Sequence, residues 1–72
     1  MTDLRHAFRA NLTRAVEASP LKRYMIASRS GYSEIYIRRI LNGTQDNPTL
    51  LFVHCIAKAL GTTPADLLKE TP

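Results

Sequence analysis

Arginine and lysine are concentrated in the first half of this 72-residue sequence. Eight of the ten basic residues lie between positions 5 and 39: Arg5, Arg9, Arg14, Lys22, Arg23, Arg29, Arg38 and Arg39. Only Glu17 and Glu34 oppose them there, so this half is more positive than the whole chain, which carries a net charge of +4. A basic half on a small domain indicates a polyanionic partner. The alternative is that the arginines only keep helix surfaces solvated.

The histidines and the single cysteine lack the spacing of a metal or catalytic site. His6 and His54 form no metal-ligand pattern with each other or with Cys55, and the acidic residues form no recognisable carboxylate pair. A single cysteine excludes an internal disulfide and a cysteine-based zinc site, and it is typical of a reducing cytoplasm. We therefore expect no enzyme activity, no metal, no cofactor and a cytoplasmic location.

Length and composition predict one small globular domain over residues 1–72. Apolar residues make up 44% and charged residues 22%, which are ordinary values for a folded domain rather than a disordered chain. No apolar run approaches the roughly 20 residues of a membrane span. The N-terminal residues also lack the apolar core that a signal peptide needs.

Apolar spacing and helix-end signals predict an all-α chain of five helices without strands. The expected ranges are about 4–18, 21–29, 34–41, 49–60 and a short last helix that starts at 64. Short polar side chains provide the expected N-caps: Thr2 or Asp3, Ser33 and Thr63. Proline and glycine provide the expected stops: Pro20, Gly31, Gly43 and Gly61.

The first and fourth helices supply most of the expected core. Apolar residues at spacings of three and four form the inward face of the first helix: Leu4, Phe8, Leu12, Ala15 and Val16. The expected inward face of the fourth helix is Leu50, Val53, Ile56, Ala57 and Leu60. Leu51 and Phe52 widen that face into an apolar run. Either Phe52 folds over the loop or the last helix, or the run is a self-association surface.

The second and third helices have the pattern of a helix-turn-helix over residues 21–42. Ala27 is small enough to lie where the two helices cross, and Gly31 makes the sharp turn four residues later. Ile37 then points back into the core. Ser33 and Gly43 cap the third helix at its two ends.

Three stretches carry a more specific pattern: IASRSGYSEIYIRRILNG, the NPT after a short polar loop, and IAKALGTTPADLL. Over about residues 19–68 the chain resembles the lambda-repressor/Cro-type helix-turn-helix family. It is particularly similar to the amino-terminal domains of phage-type repressors that carry a LexA-like peptidase domain. The resemblance implies a five-helix domain, prokaryotic or phage-encoded, whose third helix enters the DNA major groove. Such domains usually bind a palindromic operator as dimers.

Carried over residue by residue, the resemblance places the base-reading positions on the third helix: Ser33, Glu34, Ile35 and Arg39. Arg39 could form a bidentate pair with guanine, Glu34 could accept a hydrogen bond from cytosine N4, and Ile35 could contact a thymine methyl group.

The resemblance also implies a set of phosphate-binding positions: Lys22, Arg23, Tyr36, Arg38, Asn42, Thr44, Gln45 and Asn47. Arg23 replaces a glutamine that is common in the family, and its guanidinium suits phosphate but cannot accept a hydrogen bond. Asp46 is an unusual residue for a phosphate-binding loop. Tyr36 either binds phosphate through its hydroxyl or packs against the second helix.

Other positions leave alternatives open. Many family members hold an internal ion pair at the positions matched by Val16 and Leu41, and both residues here are apolar. Replacement of both partners is the tolerated change, since replacement of one would strand a charge. Arg5 and Arg9 either form a solvated face or reach flanking phosphates.

The sequence therefore predicts a sequence-specific, double-stranded DNA-binding transcriptional regulator, a phage-type repressor or its DNA-binding domain. The expected assembly is a homodimer that is weak in solution and binds a palindromic operator. The alternative is a protein-interaction module such as a helix-turn-helix antitoxin, whose helical surface neutralises a partner protein.

Overall fold

The structure is a computed structural model that describes residues 4–45 and 47–69. These residues form five α-helices, and no strand occurs among them: α1 (Leu4–Ala18), α2 (Arg23–Ser30), α3 (Glu34–Asn42), α4 (Leu50–Leu60) and α5 (Pro64–Leu68). The prediction of an all-helical chain with five helices is confirmed. The expected cap at Thr2 or Asp3 and the expectation for Asp46 lie outside the described residues.

Side-chain caps fix the starts of three helices. The hydroxyl oxygens of Ser33, Thr49 and Thr63 each accept a hydrogen bond from the backbone N–H three residues later. Each bond satisfies one amide that the first helical turn leaves without a partner. Ser33 and Thr63 are therefore confirmed as caps. Thr49 was predicted as the first helical residue, but it is the cap, and α4 begins one residue later.

The second helix begins at Arg23, two residues later than predicted. The Ser19 hydroxyl accepts a hydrogen bond from the Leu21 amide at 3.1 Å, which holds the chain in a turn after α1. Lys22 then has an extended backbone with ψ of 156° and occupies the N-cap position. The start predicted at residue 21 is wrong because this local turn competes with the helix.

Phe52 is fully buried at the centre of the core. Its ring centroid lies 4.9 Å from that of Tyr32, 5.0 Å from that of Tyr36 and 6.3 Å from that of Phe8. All three contacts are edge-on, which is the favoured arrangement for aromatic rings. Phe52 therefore joins α4 to α1 and to the start of α3, so it is not available to a surface interface.

Two leucines that were expected in the core are exposed. Leu4 is 53% exposed and Leu50 is 84% exposed. Because Phe52 takes an inward position, the buried face of α4 runs through Val53 and Ile56, and Leu50 lies at its edge in the first turn. Leu4 similarly begins α1 one turn before its buried residues. The predicted inward placement of both leucines is wrong.

Asn11 is a buried polar residue that links α1 to the end of α5. Its side-chain nitrogen donates hydrogen bonds to the carbonyl oxygens of Leu67 at 2.8 Å and Lys69 at 2.7 Å. Its side-chain oxygen accepts a hydrogen bond from the Arg14 guanidinium. Asn11 thus satisfies carbonyls at the end of the last helix, which otherwise lack partners.

None of the helices in the described part of the chain has both the length and the apolar character that a membrane crossing requires.

Candidate nucleic-acid interface

The connection between α2 and α3 is a three-residue turn over residues 31–33. Gly31 has a left-handed backbone with φ of 80°, and its N–H donates to the Ala27 carbonyl at 2.9 Å. The Ser30 hydroxyl accepts a hydrogen bond from the Tyr32 amide at 3.3 Å. Left-handed geometry costs glycine little, so this residue can reverse the chain directly after α2. The turn fixes where α3 begins.

The outer face of α3 is built from exposed residues that lie within an arc of about 140° around the helix: Glu34, Ile35, Arg38, Arg39 and Asn42. Ile37 and Ile40 occupy the opposite face and are buried. Ile35 is 58% exposed although it is a large apolar residue. The face therefore combines two guanidinium groups, a carboxylate, an amide and an aliphatic side chain, which together can match the polar and methyl groups of base edges.

Ser33, a predicted base-reading residue, already has a structural role. Its hydroxyl oxygen accepts the hydrogen bond from the Tyr36 amide at 3.1 Å. A hydroxyl group can donate its proton while its oxygen accepts a hydrogen bond. Ser33 is exposed at the first turn of α3, so this donor faces solvent from the same end of the helix as Glu34.

Arg38 and Arg39 point to different flanks of the outer face. They are about 100° apart around α3. Arg38 lines a cleft between α1, α2 and α3 together with Val16, Arg23 and Glu34. The Arg39 carbonyl, in contrast, accepts a hydrogen bond from the Gln45 amide at 3.0 Å, so this residue adjoins the loop after α3.

The N-terminus of α2 places Lys22 and Arg23 on the surface beside α3. Both side chains are exposed, and the Lys22 side chain makes no capping hydrogen bond. The first turn of a helix has amides without helical partners and a partial positive charge, which attract anions. Because Arg23 and Arg38 line the same cleft, the start of α2 and one flank of α3 bring two guanidinium groups together there, beside the Glu34 carboxylate.

The loop after α3 is held by backbone hydrogen bonds. Gly43 has φ of 84°, its N–H donates to the Ile40 carbonyl at 3.4 Å, and the Asn42 side-chain oxygen accepts from the Thr44 amide at 2.9 Å. The predicted phosphate-binding side chains of this loop are all exposed: Asn42, Thr44, Gln45 and Asn47. The Gln45 amide connects the loop to the backbone of Arg39, whereas Asn42 lines a cleft with Arg23 and Arg38.

Tyr36 packs in the aromatic cluster. Its half-buried ring lies 5.2 Å from the Tyr32 ring and 5.0 Å from the Phe52 ring, measured between centroids. The ring therefore packs against the core of the domain, as the structural alternative for Tyr36 requires. A phosphate contact through the hydroxyl stays a prediction.

Val16 and Leu41 line the same cleft between α1, α2 and α3 as Arg38, together with Ile26 and Ile37. Both residues are half-buried. Since both are hydrocarbon, neither leaves a charge without a partner at this contact.

Arg9 lies next to the loop, which no feature of the sequence indicated. If a Cβ atom is placed on Gly43, it lies 3.2 Å from the guanidinium carbon of Arg9. Helices α2 and α3 lie between positions 9 and 43, and no periodic or capping signal connects the two positions. Asn11 was missed for the same reason, because its partners are more than 50 residues away.

Histidine and cysteine do not assemble a metal site in the described residues. No group of three or more His, Cys, Asp or Glu side chains comes together in residues 4–45 and 47–69. Cys55 is a half-buried free thiol.

Comparisons with protein-family models, with curated proteins and with solved structures found no match to this chain.

Proposed function

We propose that this chain is a sequence-specific, double-stranded DNA-binding regulator of transcription with a lambda-repressor/Cro-type helix-turn-helix at α2 and α3. It acts as a repressor by occupying its operator in the cytoplasm of a prokaryotic or phage-infected cell. The observation that carries the proposal is the outer face of α3, which is exposed and lies between two polar or basic edges. One edge is the start of α2, and the other is the loop after α3.

The mechanism divides affinity from specificity. Lys22, Arg23 and Arg38 on one edge and the loop residues on the other bind phosphates, which fixes how the domain sits on the duplex. Ser33, Glu34, Ile35 and Arg39 meet base edges in the major groove. The groove is about 12 Å wide and accepts one α-helix. The activity consists of binding alone and requires no metal or cofactor.

Dimerisation is supported by apolar side chains that the fold leaves exposed. Leu50 and Leu51, at the start of α4, are exposed, and Leu51 is 64% exposed. Leu4 and Leu50 line one cleft with Pro48 and the half-buried Leu68. Exposed apolar clusters commonly mark protein interfaces. We infer a weak homodimer that places two α3 helices about one DNA turn, or roughly 34 Å, apart on a palindromic operator.

The same apolar cluster favours a second candidate function. A protein-interaction module such as an antitoxin would use Leu4, Leu50 and Leu51 to bind a different protein. DNA binding separates the candidates, because phosphate contacts make affinity fall steeply with salt concentration. A salt-independent or absent DNA interaction would favour the module.

The direct experiment is selection of binding sites from random duplex DNA with the purified protein. The regulator is expected to enrich an inverted repeat whose half-sites are about 10 base pairs apart. Neutralising Arg23 is expected to weaken binding to all sequences about equally, since a phosphate contact carries no sequence information. A selection that enriches no sequence would contradict the proposal.

A further inference from the structure

We propose that Arg9 completes the second phosphate-binding edge: its guanidinium, resting on Gly43, binds the DNA phosphate that meets the loop of residues 42–45. This inference rests on the proposed DNA-binding function and adds to it a residue of α1. It assigns a role to an arginine that sequence reasoning placed either on a solvated face or near flanking phosphates.

The Arg9 guanidinium lies flat against Gly43. A Cβ atom on Gly43 would be 3.2 Å from Cζ, 3.3 Å from Nη1 and 3.5 Å from Nη2 of Arg9. If the group approached edge-on through both nitrogens, each nitrogen would be closer than the carbon by about 0.4 Å, since the C–N bonds are about 1.33 Å long. The nearly equal distances mean that the plane faces the glycine, so the N–H donors point sideways, along the surface of the loop.

These donors are available. Within residues 4–45 and 47–69 the Arg9 guanidinium has no hydrogen bond or ion pair. The Arg9 side chain is half-buried, so contact with Gly43 restricts its position. A planar guanidinium that is already oriented loses little conformational entropy when it forms two parallel hydrogen bonds to a phosphate.

The loop itself lacks a cation. Its sequence, NGTQDN at positions 42–47, contains no lysine or arginine. Three of its backbone amides are also occupied, because Gly43 donates to the Ile40 carbonyl, Thr44 to the Asn42 side chain and Gln45 to the Arg39 carbonyl. Neutral side chains can donate hydrogen bonds to phosphate but do not neutralise its charge, whereas a guanidinium neutralises it and can form two parallel bonds. Arg9 provides a positive charge directly beside these side chains.

The competing explanation is purely structural. A cation near the C-terminus of α3 also stabilises the helix through the macrodipole. If Arg9 had only that role, its removal would lower the stability of the protein but would not change the number of DNA phosphates that the protein neutralises. The salt dependence of DNA binding therefore distinguishes the two roles.

The test compares the full chain with its Arg9→Gln variant in fluorescence-anisotropy titrations at several salt concentrations, on a selected operator and on random duplex. One lost phosphate contact should reduce the slope of log K against log salt by about 0.9 per domain. The same relation gives about an eightfold loss of affinity per domain at 0.1 M salt on both DNAs. Arg29→Gln is the matched control, because Arg29 is exposed beside Lys58 and Gly61, away from the loop, and it should keep the wild-type slope.

If Arg9→Gln keeps the wild-type slope of log K against log salt, Arg9 does not bind a phosphate. Salt-dependent DNA binding by the wild-type protein would still support the proposed function. Wild-type protein that binds DNA without salt dependence overturns both. Arg9→Lys decides the matter if Arg9→Gln does not fold. Lysine keeps the positive charge but lacks the planar guanidinium that forms two parallel hydrogen bonds. The salt-dependence slope should therefore stay at the wild-type value, and the DNA affinity should fall several-fold. Wild-type affinity for Arg9→Lys would overturn the paired-hydrogen-bond contact.

Discussion

The ring of Tyr36 in α3 packs on the ring of Phe52 in α4, with centroids 5.0 Å apart and planes inclined at 68°. Phe52 is the most central aromatic residue of the core, so the helix with the candidate base-reading face is anchored by one of its own residues. Tyr36 is half-buried and follows the exposed Ile35 directly. In α3, a residue that packs in the core therefore directly follows a residue that is exposed and proposed to contact DNA.

Substitution of Tyr36 separates its ring from its hydroxyl. Tyr36→Phe keeps the aromatic contacts, so its free energy of unfolding in urea should match the wild type. Loss of a hydrogen bond to the charged phosphate, about 1.5–3 kcal/mol, should weaken binding to all DNA by roughly tenfold to a hundredfold. Tyr36→Ala should lower the free energy of unfolding by roughly 2–4 kcal/mol. If Tyr36→Phe binds DNA with the wild-type affinity, the Tyr36 hydroxyl does not bind phosphate and the residue acts only through the packing of its ring.

Gly31 and Gly43 offer a matched pair for the contact with Arg9. Both end a helix with nearly the same φ, 80° and 84°. A Cβ at Gly31 meets no atom within 4 Å, whereas one at Gly43 meets the Arg9 guanidinium. Gly31→Ala should cost only left-handed strain, about 1 kcal/mol, and Gly43→Ala should cost more because Arg9 must move.

Urea denaturation of both glycine variants, alone and combined with Arg9→Ala, measures this difference. The extra cost of Gly43→Ala should shrink when Arg9 is removed, whereas the cost of Gly31→Ala should not change. A cost of Gly43→Ala that is the same with and without the Arg9 side chain would contradict the packing of Arg9 on Gly43.

The apolar start of α4 should matter for assembly and not for folding. Because Leu50 and Leu51 are exposed, the Leu50→Ser/Leu51→Ser double variant should change the free energy of unfolding by less than about 1 kcal/mol. It should weaken dimerisation in sedimentation experiments and weaken binding to a palindrome more than to one half-site. Tyr24→Ser, which removes a similarly exposed apolar residue from α2, is the control. Unchanged assembly of the double variant would place the interface elsewhere.

Local signals explain which parts of the fold could be predicted. The caps at Ser33 and Thr63 act on amides three residues away, and Gly31 and Gly43 end helices through their own backbone geometry. Such signals lie within a few residues of sequence. They are sufficient to predict five helices, with ends correct to within two residues.

Burial and long-range contacts could not be predicted in the same way. Leu50 and Phe52 are both apolar and two residues apart, and only packing against Phe8, Tyr32 and Tyr36 determines that Phe52 points inward. The same limit applies to the candidate site. The spacing within α3 predicts which of its residues share a face, but no local pattern places Arg9 beside Gly43.

The central claim is that the outer face of α3 reads base edges, and Arg39 provides its sharpest test. Arg39 is exposed on the outer face of α3, and a guanidinium there has the planar fork that matches the two acceptors of guanine. Arg38 lies on the other flank beside Arg23 and should bind a phosphate. The two residues are adjacent in sequence, equally charged and exposed, so each is the control for the other.

The decisive measurement is the ratio of operator affinity to random-duplex affinity for the wild type, Arg39→Ala and Arg38→Ala at one salt concentration. Arg39→Ala should lose about 1–3 kcal/mol on the operator and relax base preference at one position per half-site, which lowers the ratio. Arg38→Ala should lower the affinity for the operator and for the random duplex by the same factor, so the ratio of the two affinities should not change. An unchanged ratio for Arg39→Ala would contradict the placement of α3 in the major groove.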